Sequence, residues 1–257
     1  MSLIYNKALF IGNLHNSMSN IEQKTIGDSV LLFEQNLLTN VSIAMFSPQY
    51  WQDQHKVIGQ AMGRGVTTFF QENGRDFVLR HYRRGGLIGK LLSNQYLYTG
   101  LHHTRAWQEM QLLNTMYSWG LPVPRAAAAK INKRGLVYTA DIILEKIPEA
   151  QDVFNVLNGQ PLSSSIWQQI GAVIKQLHDK QVFHHDLNIH NIMLDKYNKV
   201  WLIDFDKCQI QAGESWKAQN LQRLLRSLRK EKNKNPSFFW QETQWQWCME
   251  GYHSINL

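Results

Sequence analysis

Asp186, Asn191 and Asp204 sit in two runs, His184-His185-Asp186-Leu187-Asn188-Ile189-His190-Asn191 and Ile203-Asp204-Phe205-Asp206, so the asparagine lies five and the second aspartate eighteen residues beyond the first. These residue types at this spacing suit transfer of a phosphoryl group from a magnesium-bound nucleoside triphosphate to a hydroxyl. Asp186 would orient the acceptor hydroxyl and take its proton. Asn191 and Asp204 would ligate Mg2+, offsetting the charge that gathers on the phosphates. Each residue type alone is common in turns. The ordered arrangement of helix, loop, hairpin and aspartate is what carries the reading. His184 reads as a packing and hydrogen-bonding residue, not a base.

Such chemistry needs groups that hold ATP. Gly59-Gln60-Ala61-Met62-Gly63-Arg64-Gly65 is a candidate phosphate loop, with Gly63 and Gly65 letting backbone N–H groups approach phosphate oxygens. An ordinary turn before a strand is the alternative. In Phe77-Val78-Leu79-Arg80, Arg80 stands where an ATP-anchoring lysine is expected. Glu109 on the next helix is its natural ion-pair partner, and Arg83 and Lys90 are competing phosphate ligands. Arg83 and Arg84 belong to the patch Arg80-His81-Tyr82-Arg83-Arg84-Gly85-Gly86, which suits anionic substrate groups or is a solvated strand edge. Trp216 to Asn235 carries seven lysines or arginines against the single Glu231, with Leu221, Leu224, Leu225 and Leu228 on one stripe. That segment reads as a helix lying on an anionic membrane, or as a core helix whose Arg223 and Arg226 line a substrate groove. Phe238, Phe239, Trp240, Trp245 and Trp247 suit a lipid interface or ordinary aromatic packing.

The elements that must position these groups follow from periodicity and turn residues. Ser47-Pro48 starts a short helix through Gln54, and Gly59 to Gly65 forms a glycine-containing turn. Val66 to Phe70 and Phe77 to Arg80 form a hairpin around Asn73-Gly74. Thr104 to Trp119 is a helix stopped by Gly120, with Pro122 and Pro124 beyond. Leu136 to Leu144 is a buried strand, and Glu145-Lys146-Ile147-Pro148 a connector on which Glu145 and Ile147 are candidates for cofactor binding. Ser165 to Asp179 is helical, because Ile166, Ile170, Val173, Ile174 and Leu177 recur at helical spacing. Asn191 to Leu194 and Val200 to Ile203 are short strands about Tyr197-Asn198. The fold class is α+β and bilobal: a β-rich half with one main helix, residues 1–147, then a mainly helical half, residues 148–257.

The 257 residues, 44% hydrophobic and 18% charged, suit a folded globular chain. The first fourteen residues lack the pattern of a signal peptide, and no stretch is long and apolar enough to span a bilayer. Cys208 and Cys248 neither build a disulfide framework nor show metal-ligand spacing. A net charge of +7 points to an anionic partner without choosing among nucleic acid, acidic phospholipid and a phosphorylated lipid.

Gly63-Arg64-Gly65, Val78 through Gly86, Gly120-Leu121-Pro122-Val123-Pro124-Arg125, and His185-Asp186-Leu187-Asn188 through Asp204-Phe205-Asp206 together resemble the Kdo kinases. These are lipopolysaccharide-core kinases of the protein-kinase-like superfamily that act on 3-deoxy-D-manno-octulosonic acid. The resemblance runs from about Trp51 to Arg229 and implies a protein-kinase-like fold with ATP and Mg2+ as cofactors. It implies phosphorylation of the 4-hydroxyl of Kdo on lipid IVA by a peripheral protein on the cytoplasmic face of a bacterial inner membrane. The partners it implies are the Kdo-bearing lipid A precursor and the anionic membrane surface, with no nucleic acid and no protein partner. A kinase of a core heptose or other small sugar, and a non-catalytic lipid-binding pseudokinase, are the alternatives. His185, Asn188 and Asp206 replace an arginine, a lysine and a glycine common in protein kinases, and no Ala-Pro-Glu follows. These departures favour a sugar or lipid acceptor over a peptide.

Overall fold

The computed structural model describes residues 21–62, 65–84 and 94–254. These form two compact units. The first comprises the described residues through Trp119 together with Arg125–Lys146, and the second comprises Gly120–Pro124 and the residues from Ile147 onward.

The first unit is built on one antiparallel sheet. Its strands are β1 (Ile21–Ile26), β2 (Ser29–Glu34), β3 (Val57–Met62), β4 (Val66–Glu72), β5 (Arg75–His81), β6 (Tyr96–Leu97), β7 (Ala126–Arg134) and β8 (Val137–Glu145). They run in the order β1-β2-β7-β8-β5-β4-β3, and β6 joins β8. The β4–β5 hairpin turns at Asn73 and Gly74 with φ of 49° and 73°, a left-handed pair that matches the twist of the flanking strands. Helix α1 (Pro48–Asp53) starts at Ser47 with proline in its first turn. Helix α2 (Arg105–Ser118) buries Glu109, Met110, Leu113 and Met116 and packs on β7. Ala126 to Ala129 are fully buried there, since small side chains allow a helix to lie close.

Two expectations change. Gly59 to Gly65 is not one turn: β3 continues through Gly59 to Met62, with a register shift between Val57 and Gly59. A glycine inside a strand marks such a bulge. The described residues before Trp51, 21–50, silent as a motif, contribute to the core. Strand β2 pairs with β7, and Leu31, Phe33, Leu37, Leu38, Phe46 and Trp51 cluster with Phe70 and Phe77. The Trp51 and Phe70 rings stack at 3.8 Å, and Trp51 Nε1 donates to Met45 O at 2.7 Å.

The second unit holds β9 (Gln151–Asp152), α3 (Val153–Gly159), α4 (Ser164–Asp179), β10 (Val182–Phe183), β11 (Ile192–Leu194), β12 (Val200–Leu202), β13 (Gln209–Ile210), α5 (Ser215–Lys234) and α6 (Glu242–His253). Asp152 and Ser163 cap α3 and α4, accepting from Asn155 N and Ile166 N. Helices α4 and α6 meet at glycines: a Cβ on Gly171 would lie 1.8 Å from Cys248 O, and one on Gly251 1.9 Å from Gln168 O. Leu202 N donates to Pro122 O at 3.0 Å, tying Gly120–Pro124 to this unit. The elements are α+β and follow the order expected from the sequence, a β-rich unit with one main helix and then a mainly helical unit.

Candidate active site

Helix α4 and β10 deliver the chain to His184, and the loop that follows is fixed mainly through its backbone. His184 is fully buried, and burial holds its imidazole below the ordinary histidine range, so the ring is neutral. Nε2 donates to Ile203 O at 3.1 Å and Nδ1 accepts from Asp186 N at 3.2 Å. Asp186 O accepts from two side-chain amides, Asn188 Nδ2 at 3.0 Å and Asn191 Nδ2 at 2.9 Å. Both backbone polar atoms of Asp186 are therefore occupied within the loop. Its carboxylate is 44% exposed, so a stiff backbone presents an accessible acid.

Asn191 is buried, and its backbone O accepts from Ile203 N at 3.0 Å, which places Asp204 one residue beyond a direct tie to it. Asp204 has φ +64°, a left-handed conformation that costs energy in most residues and that aspartate tolerates better than most. The donor set fits Mg2+. Asn191 uses its amide nitrogen on Asp186 O, so its amide oxygen could serve as a ligand, and Asp204 could add a carboxylate. Both are hard oxygen donors, and Mg2+ takes one or two protein ligands while keeping water and phosphate oxygens. Among the described residues no group of three or more His, Cys, Asp or Glu forms a metal cage.

Helix α5 lies along this loop and meets it at four points. Asn220 Oδ1 accepts from His184 N at 3.1 Å and its Nδ2 donates to His184 O at 2.9 Å. Arg223 Nη1 donates to Asp186 Oδ1 at 3.1 Å. Ser227 Oγ accepts from Ile189 N at 3.0 Å, and Glu231 lies 3.6 Å from His190 Nε2. These four residues recur at helical spacing on one face. Leu221, Leu224 and Leu228 are buried and Leu225 is half-buried, so most of the leucine stripe packs into the core. Arg229 pairs with Glu242, while Arg226 is exposed.

The first unit assembles a second set. Arg80 Nη2 meets Glu109 Oε1 at 2.5 Å, and Tyr82 OH donates to Glu109 Oε2 at 2.6 Å. Glu109 is 2% exposed. Burial, then the Glu109 carboxylate, pushes the Tyr82 phenol well above its ordinary range. Gly65 abuts Arg83: a Cβ there would lie 2.7 Å from Arg83 Nε. Gly63 and Lys90 lie outside the described residues. Arg84 Nε donates to Gln95 O at 2.7 Å with its guanidinium over Tyr96, so it braces its own strand end. Glu145 pairs with Arg75 at 3.1 Å, and Ile147 is buried. Tyr82 and Asn220 were missed by motif reading because neither has a fixed spacing to the aspartates. The polar recurrence Asn220, Arg223, Ser227, Glu231 was the available signal.

The profile of the lipopolysaccharide kinase (Kdo/WaaP) family matches residues 48–252. A 3-deoxy-D-manno-octulosonic acid kinase of Photobacterium profundum is 46% identical over 232 residues, covering 90% of this chain and 98% of that protein. The protein of the same name from Vibrio cholerae is 48% identical over 199 residues, 77% of this chain and 85% of that one. A granulovirus kinase from Cydia pomonella superposes with TM-score 0.44 at 14% identity, over 62% of this chain and 54% of that one, too distant a likeness to bear on function.

Proposed function

The chain belongs to the lipopolysaccharide kinase (Kdo/WaaP) family, and on that premise we propose that it transfers the γ-phosphoryl group of ATP to the 4-hydroxyl of Kdo on lipid IVA. The relatives that carry the Kdo kinase name are similar over nearly their whole length, which supports the same acceptor here. The observation that carries the reading is Asp186: an exposed carboxylate on a backbone whose N–H and C=O are both occupied.

In this reading Asp186 accepts the proton of the acceptor hydroxyl as its oxygen bonds to the γ-phosphorus. The bond from that phosphorus to the bridging oxygen breaks, and ADP departs with the electron pair. Asn191 and Asp204 would hold Mg2+, whose charge would offset that of the phosphates. Arg80, fixed by Glu109, binds ATP phosphate in place of a lysine, as a planar fork and not a point charge. Gly63 and Gly65 let backbone reach the phosphates, and Glu145 and Ile147 border the nucleotide.

The protein acts peripherally at the cytoplasmic face of the inner membrane, where its lipid acceptor is anchored. The net charge of +7 favours an anionic surface, and no described helix is long and apolar enough to cross a membrane. With the α5 leucines buried, attraction comes from charge and falls with salt. Purified protein given ATP, Mg2+ and Kdo-bearing lipid IVA should add one phosphate to the sugar, read by mass spectrometry. An unchanged acceptor rejects the proposal.

A further inference from the structure

The α5 stripe contains one member unlike the others. Asn220 and Ser227 bind catalytic-loop backbone, and Glu231 is 7% exposed beside His190. These fix where the loop runs. Among the described residues Arg223 makes no hydrogen bond to backbone; its one hydrogen bond goes to the Asp186 carboxylate, and the two side chains are 46% and 44% exposed. An ion pair so exposed adds little to stability, and the loop is already held on both sides of it. A purely structural role leaves the presence of arginine unexplained.

The geometry leaves much of the guanidinium unused. One N–H goes to Asp186 Oδ1, and the other N–H groups of this permanently charged, 46% exposed fork make no hydrogen bond among the described residues. They present a site for an oxyanion that arrives with the acceptor hydroxyl. On the reading that the acceptor is Kdo, that oxyanion is on the same sugar. As an octulosonic acid it carries a carboxylate at C1, three carbon–carbon bonds from the carbon that bears the 4-hydroxyl. We infer that Arg223 is a specificity-determining residue: it binds the carboxylate of the sugar acid while holding Asp186 Oδ1, leaving Asp186 Oδ2 for the hydroxyl proton. One guanidinium thereby couples recognition of an acid to placement of the base. This inference rests on the proposed Kdo kinase activity and names the group by which that acceptor is chosen.

The test compares two acceptors, Kdo-bearing lipid IVA and its derivative with the sugar carboxylate converted to a primary amide. Wild-type enzyme should prefer the acid by roughly 10- to 100-fold in kcat/KM, as expected for loss of a charge-assisted hydrogen-bonded pair. Arg223→Gln should shrink that preference for acid over amide to less than about threefold, whatever it loses on both acceptors through the base, with KM for ATP unchanged. Arg223→Lys, which keeps charge but not the fork, should fall between. Calorimetry of acid acceptor binding without nucleotide should show the same weakening, separate from turnover. Equal losses on both acceptors, or a wild-type enzyme indifferent to the amide, overturn the inference while leaving Kdo kinase activity intact. Equal losses with a raised KM for ATP assign Arg223 to the nucleotide instead. A wild-type enzyme that phosphorylates neither acceptor overturns the underlying activity and the inference with it.

Discussion

Two arginine–carboxylate pairs in this protein use the same chemistry in opposite surroundings. Arg80 and Glu109 meet at 2.5 Å with the carboxylate almost wholly buried and also bound by Tyr82. Arg223 and Asp186 meet at 3.1 Å, with nearly half of each side chain in water. Removing one partner of a buried pair leaves a charge without compensation, so the first pair is bound into the fold. The second is replaceable energetically and is therefore free to serve a substrate. In the proposed reaction the first holds its arginine in place for ATP; the second keeps its carboxylate accessible.

This contrast breaks at once if turnover and stability respond together. The largest effect is expected for Asp186→Ala: loss of a positioned base lowers kcat by about 10³- to 10⁴-fold, measured by ADP release, with an unchanged circular dichroism spectrum. Retained activity would remove Asp186 from the reaction. Glu109→Ala is expected to act on the fold, costing about 3 kcal/mol in unfolding free energy by urea titration, because Arg80 loses its counter-charge and Tyr82 its acceptor. A loss of activity at unchanged stability would show that the buried pair is catalytic first.

A pH series sharpens the same division. Burial lowers His178 to about 4, so it is neutral in the fold while an unfolded histidine protonates near 6.5. The unfolded state then binds more protons, and the associated stability is present above the unfolded value and lost as pH falls through the folded one. That loss, roughly 3 kcal/mol, should accrue between pH 6.5 and 4 and should shrink in His178→Gln. A denaturation midpoint flat over that window would contradict the assignment. The smallest effect is expected for Arg223→Gln on stability: a change below about 1 kcal/mol, despite its loss of turnover. A larger destabilisation would make this pair as structural as the first.

What could be read in advance followed local chemistry. Asn73-Gly74 announces its hairpin because only a left-handed pair matches the strand twist, and the α4 apolar residues recur at 3.6-residue spacing. Strand β7 gave no such signal: Ala126 to Ala129 favour helix intrinsically and become strand through pairing with β2 and β8. Residues 21–50 have no motif because their contribution is apolar burial, which many sequences supply. At the site, Asp186, Asn191 and Asp204 stood out in sequence because the proposed reaction calls for their types. The Arg223 contact joins residues 37 apart in sequence, so the basic helix offered a membrane reading and a groove reading until its leucines were found buried.

The polar chain behind the catalytic loop carries a consequence for biosynthesis. Tyr252 OH donates to His178 Nδ1 at 2.8 Å, His178 Nε2 reaches Asn220 Oδ1 at 3.4 Å, and Asn220 grips His184. Helix α6 closes this chain through glycine contacts with α4 that admit no other side chain without displacement. On the ribosome, units fold in the order they emerge. The sheet that presents Arg80 can assemble early, whereas the loop bearing Asp186 lacks its full backing until Tyr252 has been synthesised. The catalytic loop thus gains its full backing only from residues synthesised well after it, through Tyr252.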